Sequence, residues 1–350
     1  MIKYVFKRLL YGMVVLFGAV VVVFFIFNVL PGDPVAMMAG QRTDVATREM
    51  ITRELGLDQP LHVQLVHYVN DLSPLSFHKD TEENLKKYEY TRMIPLGESS
   101  LVLKVPYLRR SFQTNRKVSD IIVSNIEGTF WLAFAAMLFA TLMGIMLGVI
   151  ASLRQNSWLD HSMVALSVFG ISAPSFVIGA IMSMVFGAWL SEYTGLNPSG
   201  SLWEYSVYGE SLQLKNIILP AFTLGLGPLS IITMLTRSSM VEVMAQDYIR
   251  TARAKGLPYY LIILKHALKN ALNPVITAVS GWLASLMAGA FFVEKIFNWQ
   301  GIGLVTIEAV MNLDFPVVMG TTIFVALTFI IVNILVDILY AAIDPRVRLS

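Results

Sequence analysis

Six stretches of the chain carry no charged residue and are long enough to cross a bilayer as helices: residues 9–30, 128–153, 162–190, 217–236, 275–293 and 315–336. A helix rising 1.5 Å per residue needs about 20 apolar residues to cover about 30 Å of hydrocarbon. Helices also satisfy their own backbone groups where no water is available. The first stretch follows Lys3, Lys7 and Arg8 and has the look of a secretion signal. Its apolar core exceeds the roughly 7–15 residues of a cleaved signal, so it reads as a retained span. The pattern predicts an all-α integral membrane protein with six transmembrane helices. A large external loop follows helix 1, and a basic cytoplasmic loop separates helices 4 and 5. The expected divisions are 1–30 (tail and first span), 31–127 (external region), 128–341 (core of five spans, with the loop 237–274) and 342–350 (tail).

Charge sets the sidedness. Lys3, Lys7, Arg8, Arg154, Arg237, Arg250, Arg253, Lys255, Lys265, Lys269, Arg346 and Arg348 all fall on one side, whereas the short opposite connections 191–216 and 298–314 hold only Lys215. Short cytoplasmic loops carry the basic excess, so both termini are expected in the cytoplasm.

Two segments outside the membrane stand out. The outer one starts with the turn Pro31-Gly32-Asp33-Pro34, and Asp44 is a candidate helix cap. Pro60 opens a helix whose apolar positions Leu61, Leu65, Tyr68, Val69 and Leu72 follow helical spacing. Residues 74–106 show no usable period and read as a solvated loop with a small cap over the pore mouth. The inner segment predicts a helix over 241–255, with Asp247 early and Arg250, Arg253 and Lys255 late, as the helix dipole favours. Gly256 and Pro258 stop it, and a second helix over 259–272 ends before Pro274. This basic helix–turn–helix elbow either anchors the topology against anionic lipid or contacts another protein.

Composition narrows the chemistry. The chain is 55% hydrophobic and only 14% charged, against about 25% charged for soluble chains. A net charge of +2 gives no reason to expect nucleic acid. There is no cysteine, and no phosphate-cradling Gly-x-x-x-x-Gly-Lys-Ser/Thr run or His-Glu-x-x-His pair. Neither a catalytic group, a metal site nor a cofactor is expected. Ser172 and Pro174 mark a kinked span. Gly144 and Gly148, and then Gly281, Ser285 and Gly289, recur at four-residue spacing and suit close helix packing or a pathway wall. Glu294, Lys295 and Asp337 sit at span ends, where they are expected to reach water or headgroups, which argues against an ion-driven carrier.

The run Gln246-Asp247-Tyr248-Ile249-Arg250-Thr251-Ala252-Arg253-Ala254-Lys255-Gly256-Leu257, followed by His266-Ala267-Leu268-Lys269-Asn270-Ala271-Leu272-Asn273-Pro274, resembles the coupling loop of binding-protein-dependent ABC importer permeases. The chain is most similar to the B-type permease of dipeptide and oligopeptide importers, a group that includes nickel permeases. Leu30-Pro31-Gly32-Asp33-Pro34, Glu54-Leu55-Gly56-Leu57-Asp58-Gln59-Pro60, Phe297-Asn298-Trp299-Gln300-Gly301-Ile302-Gly303, Asp314-Phe315-Pro316 and Asp344-Pro345-Arg346 match the family in order. The chain departs from it at Tyr107-Leu108-Arg109-Arg110, and 74–106 looks like an insertion. The resemblance implies a peptide or peptide-like solute, with nickel or another small solute as alternatives. It also implies two ATPase subunits, a second homologous permease, an external substrate-binding protein and a lipid bilayer, here the bacterial inner membrane. It assigns ATPase contact to Asp247, Tyr248, Arg250, Thr251, Ala252, Arg253, Ala254, Lys255, Gly256 and Leu257, and ATP hydrolysis to the partner subunits.

Overall fold

The computed structural model describes residues 2–29, 52, 58–97, 99–206 and 209–343. The Pro31–Pro34 turn, the Asp44 cap, residues 54–57 of the outer motif and the Asp344-Pro345-Arg346 ending lie outside the described residues. The protein is mainly helical. Among the described residues four helices are long and apolar enough to cross a membrane, and two bent helix pairs bring the number to six when each pair is one span. The chain divides into two compact units, one of residues 9–124 and 305–327, the other of residues 1–8, 125–304 and 328–350.

In the first unit, helix α1 (Ile2–Val29) packs Val20, Val23 and Phe24 against Tyr68 of α2 (Leu61–Leu72). The Phe24 and Tyr68 ring centroids are 5.7 Å apart. Leu65, Val69 and Leu72 follow on the same face of α2, as their spacing requires.

The region expected to be a loop is instead an antiparallel sheet. Strands β1 (Leu75–Lys79), β2 (Thr91–Leu96) and β3 (Ser99–Leu103) lie in the order β1-β3-β2, with helix α3 (Glu82–Tyr88) between β1 and β2 in the chain. Phe77 pairs with Leu101, which also pairs with Ile94. The reason for the missed strands is visible in β1: its buried face carries the polar Ser76 and His78, while Leu75 and Phe77 are exposed. The alternation is inverted, so the usual apolar-inside pattern is not there to be found.

His78 stacks on Tyr88 at 4.1 Å and lies 6.0 Å from Tyr90. Its Nε2 has no hydrogen-bond partner among the described residues. Tyr88 donates to the Asp71 carboxylate at 3.0 Å, and the buried Lys104 ammonium donates to the Asp71 carbonyl while lying 5.1 Å over the Tyr88 ring. Burial, and then the nearby Lys104 charge, hold His78 below its ordinary pKa of 6.5. A histidine favoured neutral by the fold contributes stability above its unfolded pKa and loses it as pH falls below that value. Burial lowers Lys104 to about 8, so Lys104 stays charged throughout the acid range. The protection factors of 75–103, exchange rates taken relative to the free amides, should therefore fall as pH drops below about 6.5, and His78→Phe should remove that step; protection factors that stay constant below that pH would contradict the assignment.

In the same unit, Asp314 is buried and accepts from the Ser111 hydroxyl at 2.5 Å and from the Phe112 amide at 2.9 Å. The Asp314-Phe315-Pro316 motif thus meets a segment about two hundred positions earlier in the chain.

The second unit is built around α7 (Ile218–Met244). Earlier in the chain come α4 (Val118–Leu153), α5 (Trp158–Ser172), α6 (Ser175–Met182, continued by the π-helical Ser183–Trp189) and a hairpin of β4 (Trp203–Ser206) and β5 (Gly209–Leu212). Gly144 and Gly148 of α4 lie against α7: a Cβ at Gly144 would sit 2.7 Å from Ile232 Cγ2, and one at Gly148 2.5 Å from Thr236 Cβ. Their packing role follows directly. Helices α5 and α6 meet at 103° across Ala173 and Pro174, the kink that Ser172 and Pro174 predict. The basic end carries α8 (Asp247–Ala254) and the helical segment α9 (residues 259–271), whose middle, Ile262–Leu268, is π-helical.

The fifth span departs from expectation. In place of one helix over 275–293 there are α10 (Asn273–Met287) and α11 (Phe291–Phe297), bent by 60°. Gly289 sits at the break with φ +119°, a region L side chains rarely adopt. It therefore ends the small-residue stripe instead of extending it. Helices α12 (Ile302–Met311) and α13 (Phe315–Ile343) are the last described, and α1, α4, α12 and α13 contribute residues to both units. Arg8 and Asp337, both in the second unit, pair at 3.0 Å, so Asp337 has a protein partner at its span end.

Candidate functional site

The elbow between α7 and α10 is organised by two opposed faces. Ile249 and Ala252, three residues apart on α8, are buried against Met240, Ile262, Ile263, Ala267 and Ala271. Leu257 joins them, half-buried. The other face presents Asp247, Tyr248, Arg250, Thr251, Arg253, Ala254 and Lys255, all exposed. Ala252 therefore points into its own chain, which corrects its place among the contact residues. The helix is also shorter than the expected 241–255. The fourth span runs on to Met244, and the extended Gln246 (ψ 150°) interrupts the helix before Asp247.

Hydrogen bonds close the elbow. The Leu257 amide donates to the Ala252 carbonyl at 3.3 Å and the Gly256 amide to the Arg253 carbonyl at 2.9 Å. With Gly256 at φ +71°, these two bonds make a Schellman motif, which satisfies the last carbonyls of α8 and turns the chain back. Asn270 Nδ2 donates to the Tyr248 hydroxyl at 2.9 Å and ties α8 to α9. The Arg250–Asp247 contact at 3.2 Å is exposed and contributes little. Asn270 carries no signal in a single sequence that would set it apart from other polar residues of α9.

An ion pair supports the base of the unit. Arg237 Nη2 donates to Asp160 Oδ2 at 2.6 Å, Arg237 Nε donates to Oδ1, and Asp160 also accepts from the Asn156 amide at 2.9 Å. Asp160 is buried and Arg237 three-quarters so. Removing one member of such a pair costs about 3–5 kcal/mol because the other charge is left buried and unpaired. Arg237→Ala should therefore lower the thermal unfolding temperature of the detergent-solubilised protein, and Arg237→Ala with Asp160→Asn should recover part of the loss. Equal stability of wild type and Arg237→Ala would contradict this.

A second cluster sits beyond the α10–α11 break. Glu294 was expected to reach water or headgroups, but it is fully buried. Its carboxylate accepts from the Thr129 hydroxyl and from the Leu304 amide, both at 3.0 Å. Thr129 Oγ1 in turn accepts from the Ile302 amide at 2.8 Å. Ile302 and Leu304 open α12, so Glu294 caps that helix directly at the Leu304 amide and, through Thr129, at the Ile302 amide. Gly301 is needed at close quarters: a Cβ there would collide with the Glu294 carboxylate and come 2.6 Å from Thr129 Oγ1. Trp299 donates to the Gly128 carbonyl at 2.8 Å, and Ser201 Oγ accepts from the Gln300 amide at 2.9 Å. The Asn298–Gly303 motif is thus the wrapping of a buried carboxylate.

Of the remaining expected residues, Gly281 and Ser285 are exposed on α10 together with Thr277. A Cβ at Gly281 would meet nothing within 4 Å, so this stripe is not packed inside the chain.

Bent apolar helices gathered around a central helix, with an elbow at the basic end, are the architecture of a polytopic membrane protein. The family described as "Binding-protein-dependent transport system inner membrane component" matches residues 144–349, and its N-terminal companion family matches residues 1–133. The glutathione transport system permease proteins GsiC of Salmonella typhimurium (strain LT2) and Escherichia coli (strain K12) are each 35% identical over 348 residues, covering 99% of both chains. A solved structure of the MetNI methionine ABC transporter, in an inward-facing conformation, covers 66% of this chain and 97% of its own at 18% identity, with a TM-score of 0.51, and shows the fold alone. The chain belongs to the binding-protein-dependent transport family of inner-membrane components. It is the permease subunit of an ABC importer, a multi-pass protein that works with ATPase and substrate-binding partners.

Proposed function

We propose that this permease carries peptides or peptide-like solutes inward, paired with a second homologous permease above two ATPase subunits and beneath an external substrate-binding protein. Both termini and the elbow are cytoplasmic in this reading, and the partner subunits hydrolyse ATP. The observation that carries it is the two-faced α8. Its apolar side is seated on the chain and locked by the Schellman turn, and its basic side is free to lie in a groove of a motor subunit. A lever must be stiff, because a floppy loop would absorb the displacement. The GsiC relatives, glutathione permeases by name, support a small peptide-like solute. The exposed Thr277, Gly281 and Ser285 of α10 support a polar wall along the pathway, with Pro174 and Gly289 at the bends above it.

The chain has no cysteine, so thiol chemistry at one introduced position is specific. Arg250→Cys and Arg253→Cys, in native membranes, should crosslink to a nucleotide-binding subunit, with Leu264→Cys as a control. Crosslinks to lipid reagents alone at both positions would overturn the coupling role. Uptake of labelled glutathione or dipeptides by the complete transporter tests the solute.

A further inference from the structure

Helix α5 lacks the apolar anchorage of its neighbours. Its two buried residues, Asp160 and Ser167, are both polar, whereas α6, α7, α10 and α11 each bury aliphatic or aromatic side chains. The large apolar groups of α5, Trp158, Leu166, Val168 and Phe169 among them, are exposed. Interlocked apolar ridges usually set how one helix lies on another, and here α5 has none buried. Two other contacts hold it to α7. At Gly170 the helices approach closely, since a Cβ there would collide with Ser230 Oγ. At the basic end the Asp160 carboxylate accepts from Arg237 Nε and Nη2 and from the Asn156 amide. The Asp160 amide also donates to the Ser157 hydroxyl at 3.3 Å, which ties the turn between α4 and α5 to the same residue.

The place of Arg237 on α7 gives this pair its meaning. Within little more than one turn, Thr236 faces Gly148 of α4, Arg237 holds α5, and Met240 lies against Ile249 of α8. A displacement of α8 therefore enters α7 three residues from Arg237. Apolar contacts let helices slide, and a single bond lets them swivel. A guanidinium–carboxylate fork with two bonds fixes both distance and orientation. The far end of α5, about 22 Å of rise away, is the break at Ala173 and Pro174, where α6 departs at 103°.

We infer that the Asp160–Arg237 pair is a strut that passes the displacement of α8 into the bent α5–α6 span, which makes both residues positioning residues for transport. This rests on the reading of α8 as a lever. With the pair cut, α8 still moves α7, but α5 is left on the Gly170 contact alone, which acts as a pivot. ATP is then hydrolysed without moving the bend.

The test uses the complete transporter in liposomes, with ATP hydrolysis and uptake of labelled S-methylglutathione, whose thiol is blocked, measured in one sample. Their ratio does not depend on assembly yield. Asp160→Cys with Arg237→Cys removes both charges, so neither is left buried and unpaired. Uptake per ATP hydrolysed should fall about tenfold, the size expected for one link in a coupled chain. The chain has no cysteine of its own, so a short bis-methanethiosulfonate can then join the two introduced thiols. Joining them should restore most of the lost ratio, and dithiothreitol should abolish it again, while the wild type ignores both reagents. A merely structural fastening would not switch in this way within protein that is already folded and assembled. Loss of assembled protein in the cysteine pair, a wild-type ratio before joining, or a ratio that joining leaves low overturns the strut. Failure of the unsubstituted complex to take up the solute counts against the transport reading, and normal uptake by Gly256→Pro counts against the lever. Normal wild-type uptake with a ratio that ignores the link counts against the strut alone.

Discussion

Gly256→Pro should abolish ATP-driven uptake while the protein still accumulates in the membrane at its normal level. Gly256 holds φ +71°, and its amide donates to the Arg253 carbonyl at 2.9 Å. Proline fixes φ near −65° and has no amide hydrogen, so both features are lost, at a cost of about 3 kcal/mol or more. That cost falls on the turn that keeps α8 stiff and leaves the spans untouched. The position is otherwise open, since a Cβ would meet nothing within 4 Å. Gly256→Asn should therefore transport nearly normally, because asparagine tolerates the left-handed conformation. Gly256→Asp has nearly the same shape but adds a carboxylate beside the exposed Arg253 and Lys255. Uptake that survives Asn and fails with Asp and Pro would separate the shape of the turn from the charge of the contact. Normal uptake by the proline variant would remove the lever argument.

The second large effect is expected at Glu294. Glu294→Leu keeps the approximate volume but deprives the Thr129 hydroxyl and the Leu304 amide of their acceptor. Each buried group left unpaired costs about 1–3 kcal/mol, so the variant should lose about 2–6 kcal/mol and most of its assembled protein. Glu294→Gln should be much milder. Its Oε1 can accept from Leu304, and its Nε2 can donate to Thr129 Oγ1, whose own hydrogen then turns to a carbonyl one turn back. Gly301→Ala should resemble Glu294→Leu, because the new methyl group enters the space of the carboxylate. Thermal unfolding of the detergent-solubilised complex measures all three. If the glutamine variant proved as damaged as the leucine one, the charge itself would be required, and Glu294 would be more than a helix cap.

Local chemistry made a large part of this protein legible in one dimension. A bilayer demands about twenty apolar residues in helical form, so the absence of charge pointed to the four long apolar helices and to the two bent pairs. Pro174 cannot supply an amide and Gly256 can adopt positive φ, so the bend in the third span and the end of α8 could be placed before any packing was known. The elbow was visible for the same reason, although not which of its residues turn inward. Ala252 reads like its neighbours until Met240 and Ile263 are seen beneath it.

Only tertiary structure decided the rest. Glu294 looks like a span-end carboxylate, and its burial appears only when α12 and Thr129, 165 positions earlier, close over it. Arg237 counts as one more basic residue until Asp160 meets it across 77 positions, and Asp314 is unremarkable until Ser111 arrives. The sheet escaped notice because the side of β1 that faces inward is polar. Hydropathy and backbone dihedrals act over a few neighbouring residues and are written in order along the chain. A buried charge or an inverted strand is stable only through groups that are distant in sequence, so nothing near it records what it will meet.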